Sequence, residues 1–367
     1  MDMASLLTNV ETSSNKSSGL HQEVEAARRT IEKLEDDLRN TEAHINSLQP
    51  SRIHLTAGEA EKEFKTMLQA IDQWINTFIT PVFLDNDKMQ RAFQMAMYEP
   101  KSGWIITDLL LNERFRLTAR LPETEEVIVK AGMLNWLTHK IFHEGISLMF
   151  PGGASFLGIL EQSMLEGGQL LYSVQSWKAQ SYDAWVTSSQ YQAHRDMCIH
   201  NLTQEVAAGL TMFSGSHGTD NFNDALLEDV IKPAYTLMEK MKASRESFNV
   251  CFGQDSPLPK GQNGAKQHVD FEWENYADMT DHQRFLKPSA IDGLSDQQVL
   301  KDLTKLIPVS PGLTMRKIQR DNKFGDLQVI VKQKRLVAWK KNLFQATQEQ
   351  DREAPTFYSQ LCHGLEI

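Results

Sequence analysis

With 367 residues, 41% apolar and 23% charged, the chain carries enough hydrophobic material for a sizeable core and too much for a disordered protein. Its net charge of −10 argues against a nucleic-acid binder that uses its whole surface, because phosphate contact draws on surplus Lys and Arg. Three widely spaced cysteines, Cys198, Cys251 and Cys362, form neither a disulfide framework nor a CxxC pair, which points to a reducing compartment, nucleus or cytoplasm.

The first 19 residues are rich in Ser, Thr and Asn and read as a tail. They lack the basic start and apolar run of a secretory signal. Residues 20–49 then carry a heptad pattern. Leu20, Ala27, Leu34, Thr41 and Leu48 fall at d, and Val24, Ile31, Leu38 and Ile45 at a. A stripe repeating every 3.5 residues keeps facing a neighbour only if two helices wind around each other. Val24, Ile31, Leu34, Leu38, Ile45 and Leu48 are therefore the residues expected to pair with a partner helix, in a second copy or in another protein. The alternative is a helix that folds back on its own domain.

Residues 50–345 predict a helical domain. Thr56 is placed to cap a helix, with Glu59 three residues on, and Pro81 to stop it. Between them Phe64, Met67, Leu68, Ile71, Trp74, Ile75 and Phe78 follow helical spacing. The same signature predicts helices over 87–98, 104–117, 122–148, 156–171, 173–186, 194–212 and 226–252. Residues 253–268 form a Gly, Pro, Gln and Asn loop, and 295–306 a short helix. The segment 324–339 is β-leaning through Val329, Ile330 and Val331, but Leu327, Ile330, Val331, Leu336 and Val337 also suit a buried helix, which is preferred here. Residues 346–367 are a C-terminal tail. The expected class is all-α: an irregular multi-helix domain behind a short coiled-coil helix. The longest charge-free stretch, 145–160, is too short and too broken by Pro151, Gly152 and Gly153 to span a membrane.

Few residues are spaced for chemistry. His139 and His143 stand four apart, but the pattern lacks the Glu that follows the first His in HExxH. His194 and Cys198 share a helical face, with His200 elsewhere on the wheel and no second half of a zinc site. Ser214-Gly-Ser-His-Gly218 has Ser where a nucleophile elbow needs Gly. No phosphate-cradling glycine motif occurs. Neither catalytic residue, cofactor nor metal is expected. The acidic stretch Asp270–Asp281, interleaved with Phe271, Trp273 and Tyr276, reads as solvated surface or as an acidic–aromatic interaction segment. Between Arg316 and Lys341 nine basic residues face only Asp321 and Asp326. Of these, Lys332, Lys334, Arg335, Lys340 and Lys341 are candidates for nuclear import or phosphate contact. No DNA-binding module accompanies them.

Three phrases resemble one family. Gln69-Ala-Ile-Asp-Gln-Trp-Ile-Asn-Thr-Phe78, Val127-Ile-Val-Lys-Ala-Gly-Met-Leu-Asn-Trp-Leu-Thr-His-Lys-Ile-Phe142, and Pro308-Val-Ser-Pro-Gly-Leu313 with its later Val-rich tail look like a large group of helical ascomycete proteins. Some of that group are similar to the trichothecene-cluster type of transcription regulator. The resemblance implies a non-enzymatic regulator or adaptor of a fungal secondary-metabolite gene cluster, acting in the nucleus through protein partners. The alternative is a helical enzyme whose apolar pocket takes a lipid-like or isoprenoid substrate.

Overall fold

Thr56 and Glu59 start the main body as their spacing requires. In a computed structural model of the chain, the Thr56 N–H donates to Glu59 Oε2 at 2.9 Å, and the Glu59 N–H donates back to Thr56 Oγ1 at 3.3 Å. The structure describes residues 24–34, 37, 55–98, 111–119, 121, 124–150, 154–214, 219–253, 270–279, 284–319 and 322–343. It separates into two units, Met1–Arg52 and Ile53–Ile367. In the first unit, residues 24–34 are helical (α1). The tails 1–19 and 346–367, and all of the 253–268 loop beyond Gly253, lie outside the described residues.

The second unit begins with α2 (Ala57–Phe78), which buries Phe64, Met67, Ile71, Trp74 and Phe78 along one stripe. Trp74 and Phe78 meet Phe222 edge-on, with ring centroids 5.0 and 5.6 Å away. Then come α3 (Thr80–Phe83), α4 (Asn86–Tyr98), α5 (Glu113–Ala119) and α6 (Glu125–Leu137). A π-helical turn, Thr138–His143, continues α6. Next are α7 (Gly145–Met149), α8 (Ala154–Glu166), α9 (Leu171–Val186), α10 (Ser189–Leu210) and α11 (Thr219–Ala225). A second π-helical turn, Leu226–Ile231, leads into α12 (Lys232–Ala243). A shorter α13 (Asp296–Asp302) follows much later, capped by Ser295 and Gln298.

The all-α expectation is overturned by two β-sheets. One has strand order β1-β5-β6: Ser247–Cys251, Gly312–Arg316 and Gln328–Val331. The other has order β3-β2-β7-β4: Arg284–Phe285, Glu274–Asp278, Gln333–Trp339 and Leu303–Ser310. The fold is therefore mixed α and β. The helix expected over 226–252 ends at Ala243, and the alternation Ser247-Phe-Asn-Val250 takes over with Phe248 and Val250 inside. The helix expected over 295–306 ends at Asp302, and 324–339 contains β6 and β7 rather than a helix. The physical reason is burial on both faces. Leu306, Ile307, Leu336, Val337 and Ala338 are all buried. A doubly covered strand shows a continuous apolar run that periodicity cannot tell from a buried helix.

Gly312 lies where the two sheets approach. A Cβ there would stand 3.1 Å from the Gln333 backbone nitrogen and 3.2 Å from the Val331 carbonyl. Only a residue without a side chain lets β5 run this close to the β6–β7 connection.

Candidate functional site

On α1, Val24, Ile31 and Leu34 are 62%, 57% and 62% exposed. Offsets of 7 and 10 residues keep them on one side of a helix with 3.6 residues per turn. They form an apolar stripe facing water. Leu38, Ile45 and Leu48, expected on the same stripe, lie outside the described residues.

The five basic residues do not share one surface. Lys332 is exposed between β6 and β7 and donates to the Phe271 carbonyl. Lys340 and Lys341 are exposed on a helical turn after β7. A seven-residue strand separates those two groups by roughly 23 Å. Lys334 is half-buried, with Nζ 5.3 Å from the centre of the Phe285 ring. Burial, and then the charge of Lys130, push its ammonium below the usual lysine range against the opposing pull of Asp72. Arg335 is 1% exposed, so in the folded chain its guanidinium is withheld from any receptor that reads an extended basic peptide.

The burial of Arg335 is organised by a chain of polar contacts. Arg335 Nε donates to Glu274 Oε1 at 2.8 Å. Gln333 Nε2 donates to the same oxygen, and the Gly253 N–H donates to Gln333 Oε1 at 2.7 Å. Lys305 Nζ lies 3.5 Å from Glu274 Oε2. Arg335 Nη1 donates to the Leu306 carbonyl at 3.4 Å, beside the register break of β4 between Lys305 and Pro308. Pro308 has no N–H for the ladder, and a bulge there re-aims the strand. Arg335 Nη2 has no hydrogen-bond partner among the described residues. An unmet buried donor costs about 1–3 kcal/mol, and more when charged.

Arg335 lines a cleft of about 400 Å³ with Arg114 and Asn135 among its other polar residues. Phe115, Phe252 and Ile307 supply apolar wall. Arg114 enters through α5, whose first turn is tied by the Arg114 N–H donating to Asn112 Oδ1 at 2.9 Å. The Arg114 side chain is exposed and makes no ion pair among the described residues. The size is within the range of small-molecule sites. Sequence reasoning singled out Arg335 but missed Arg114, Gln333 and the pairing role of Glu274. The one available signal was the alternation Glu274-x-Tyr276-x-Asp278 inside the acidic stretch.

The histidine and cysteine groupings are tied up structurally. His143 Nε2 lies 2.9 Å from the Val250 carbonyl, which locks the π-helical turn to β1. His139 Nδ1 sits 3.2 Å from Glu144 Oε1 at the surface. His194 Nε2 lies 2.7 Å from the Leu148 carbonyl and 3.3 Å from Cys198 Sγ. A carbonyl only accepts, so this nitrogen carries the proton and is not free to take one from the thiol. Burial pushes the Cys198 thiol up, away from thiolate. His200 pairs with Gln204, four residues on, at 2.8 Å. Nearby, Tyr191 donates to Glu239, and Arg195 Nε spans both Glu239 oxygens at 3.0 and 3.1 Å. This network clamps α10 to α12.

No protein-family model matches the chain, and no match was found among curated proteins or among solved structures. No helix among the described residues is long and apolar enough to cross a membrane.

Proposed function

We propose that this chain is a non-enzymatic regulatory or adaptor protein that acts through a protein partner engaged by its N-terminal helix. The observation that carries the reading is the water-facing stripe of Val24, Ile31 and Leu34 on α1. Fully covering such side chains is favourable by about 1.5–3 kcal/mol each, and the heptad spacing suits a partner helix. The engagement of His194 and His143 with backbone carbonyls supports a non-catalytic body. Control of a fungal secondary-metabolite gene cluster is the most concrete version. It rests on the likeness of residues 69–78, 127–142 and 308–313 to the helical ascomycete group. In that version the exposed Lys332, Lys340 and Lys341 serve nuclear import or phosphate contact.

Light scattering of the full chain tests the pairing helix. The wild type is expected at the mass of an assembly, and Ile31→Asp with Leu34→Asp at the mass of one chain. An assembly of unchanged mass in the variant removes the pairing role. Imaging of a tagged chain tests the regulatory version, and exclusion from the nucleus counts against it.

A further inference from the structure

We propose that the cleft beside Arg335 binds a small organic acid, with its carboxylate held by Arg335 and Arg114 and its apolar body against Phe115, Phe252 and Ile307. This goes beyond the partner-helix reading and does not depend on it.

Three observations converge. The first is the unmet donor. Arg335 spends Nε on Glu274 and Nη1 on the Leu306 carbonyl, which leaves Nη2 without a partner among the described residues although the residue is 1% exposed. Guanidinium N–H groups withdrawn from water require an acceptor, and a carboxylate matches them best. The second is that the guanidinium is held in place. Glu274 is fixed by Gln333, and Gln333 by the Gly253 N–H at the cleft wall. Glu274 also faces Lys305 at 3.5 Å, so its one negative charge is divided between two cations. The third is the wall chemistry. A second arginine, Arg114 on α5, lines the same cleft, and aromatic and aliphatic side chains complete it. Two guanidiniums with an apolar wall suit a carboxylate on a hydrophobic body better than a bare inorganic anion.

Titration calorimetry on the full chain with 1-naphthylacetate, its neutral counterpart 1-naphthylacetamide and inorganic phosphate tests the site. The acid is expected to bind, with the amide and phosphate each at least about tenfold weaker, the scale of one charge-assisted hydrogen bond. Arg335→Lys keeps a cation for Glu274 but removes the free N–H groups. Arg114→Ala alters only an exposed side chain. Each is expected to weaken the acid about tenfold. Should Arg335→Lys fail to fold, Arg114→Ala alone decides. The proposal is overturned if the wild type gives no heat with the acid, or if the amide or phosphate binds as tightly. It is equally overturned if the folded variants bind the acid as the wild type does.

Discussion

Glu274 on β2 and Arg335 on β7 form a 2.8 Å ion pair in which both side chains are 1% exposed, although 61 residues separate them along the chain. The pair sits in the parallel register that sets Glu274 opposite Gln333 and Tyr276 opposite Arg335. It binds the middle strands of the four-stranded sheet and fixes the guanidinium that lines the cleft. Its partners also act on Tyr276. Burial and the Glu274 charge hold that phenol well above the usual tyrosine range, partly offset by Arg335.

Removing one member of such a pair strands the other in a poorly hydrated place. Glu274→Ala is expected to cost about 3–5 kcal/mol in urea unfolding, because Arg335 is left without its carboxylate. Glu274→Leu combined with Arg335→Met is expected to recover part of that loss, because the stranded guanidinium is gone and only the less deeply buried Lys305 loses its carboxylate. A double variant as unstable as the single one would show that the charges themselves, and not the stranded partner, set the cost.

Tyr182 offers a pH-dependent test. Burial, with a smaller contribution from the Glu161 charge, pushes its phenol up from 10.0 to about 12. The unfolded chain gives up this proton near pH 10, while the folded chain keeps it to about pH 12. The stabilisation from this residue is thus complete below pH 10 and is lost as pH rises from 10 through 12. Urea midpoints measured at pH 9, 10 and 11 are expected to fall for the wild type more steeply than for Tyr182→Phe. Parallel profiles would place the proton uptake elsewhere.

Two glycines are expected to differ in their tolerance of a methyl group. A Cβ at Gly312 meets backbone at 3.1 and 3.2 Å and Cys251 Sγ at 3.0 Å. Backbone does not swing aside, so Gly312→Ala is expected to cost about 1–3 kcal/mol. A Cβ at Gly145 comes nearer still, 2.6 Å from the Met238 sulfur, but methionine is flexible and rotates away. Gly145→Ala is therefore expected to be the milder of the two in thermal unfolding, despite the shorter distance.

Much of the helical body was legible before any coordinates. The start of α2 at Thr56 and Glu59 follows from a reciprocal hydrogen bond spanning three residues. Its buried face follows from a period of 3.6. The strands were not legible in the same way. β1 pairs with β5 from Cys251 opposite Gly312 to Ser247 opposite Arg316, and β2 pairs with β7 about 60 residues away. Nothing in either segment alone reports its partner.

Arg335 shows the same division. Its place in a basic run is plain from the chain and suggested a surface. Once β7 lies between β2 and β4 with both of its faces covered, Arg335 is buried along with Leu336, Val337 and Ala338, while Lys332 and Lys340 stay in water at the strand's ends. Hydrogen bonds and apolar stripes within a few residues are local, so the amino-acid order by itself determined α2, its cap and its inward face. Strand partners, the buried ion pair and the cleft are products of contacts between distant segments, and only the folded chain decided them.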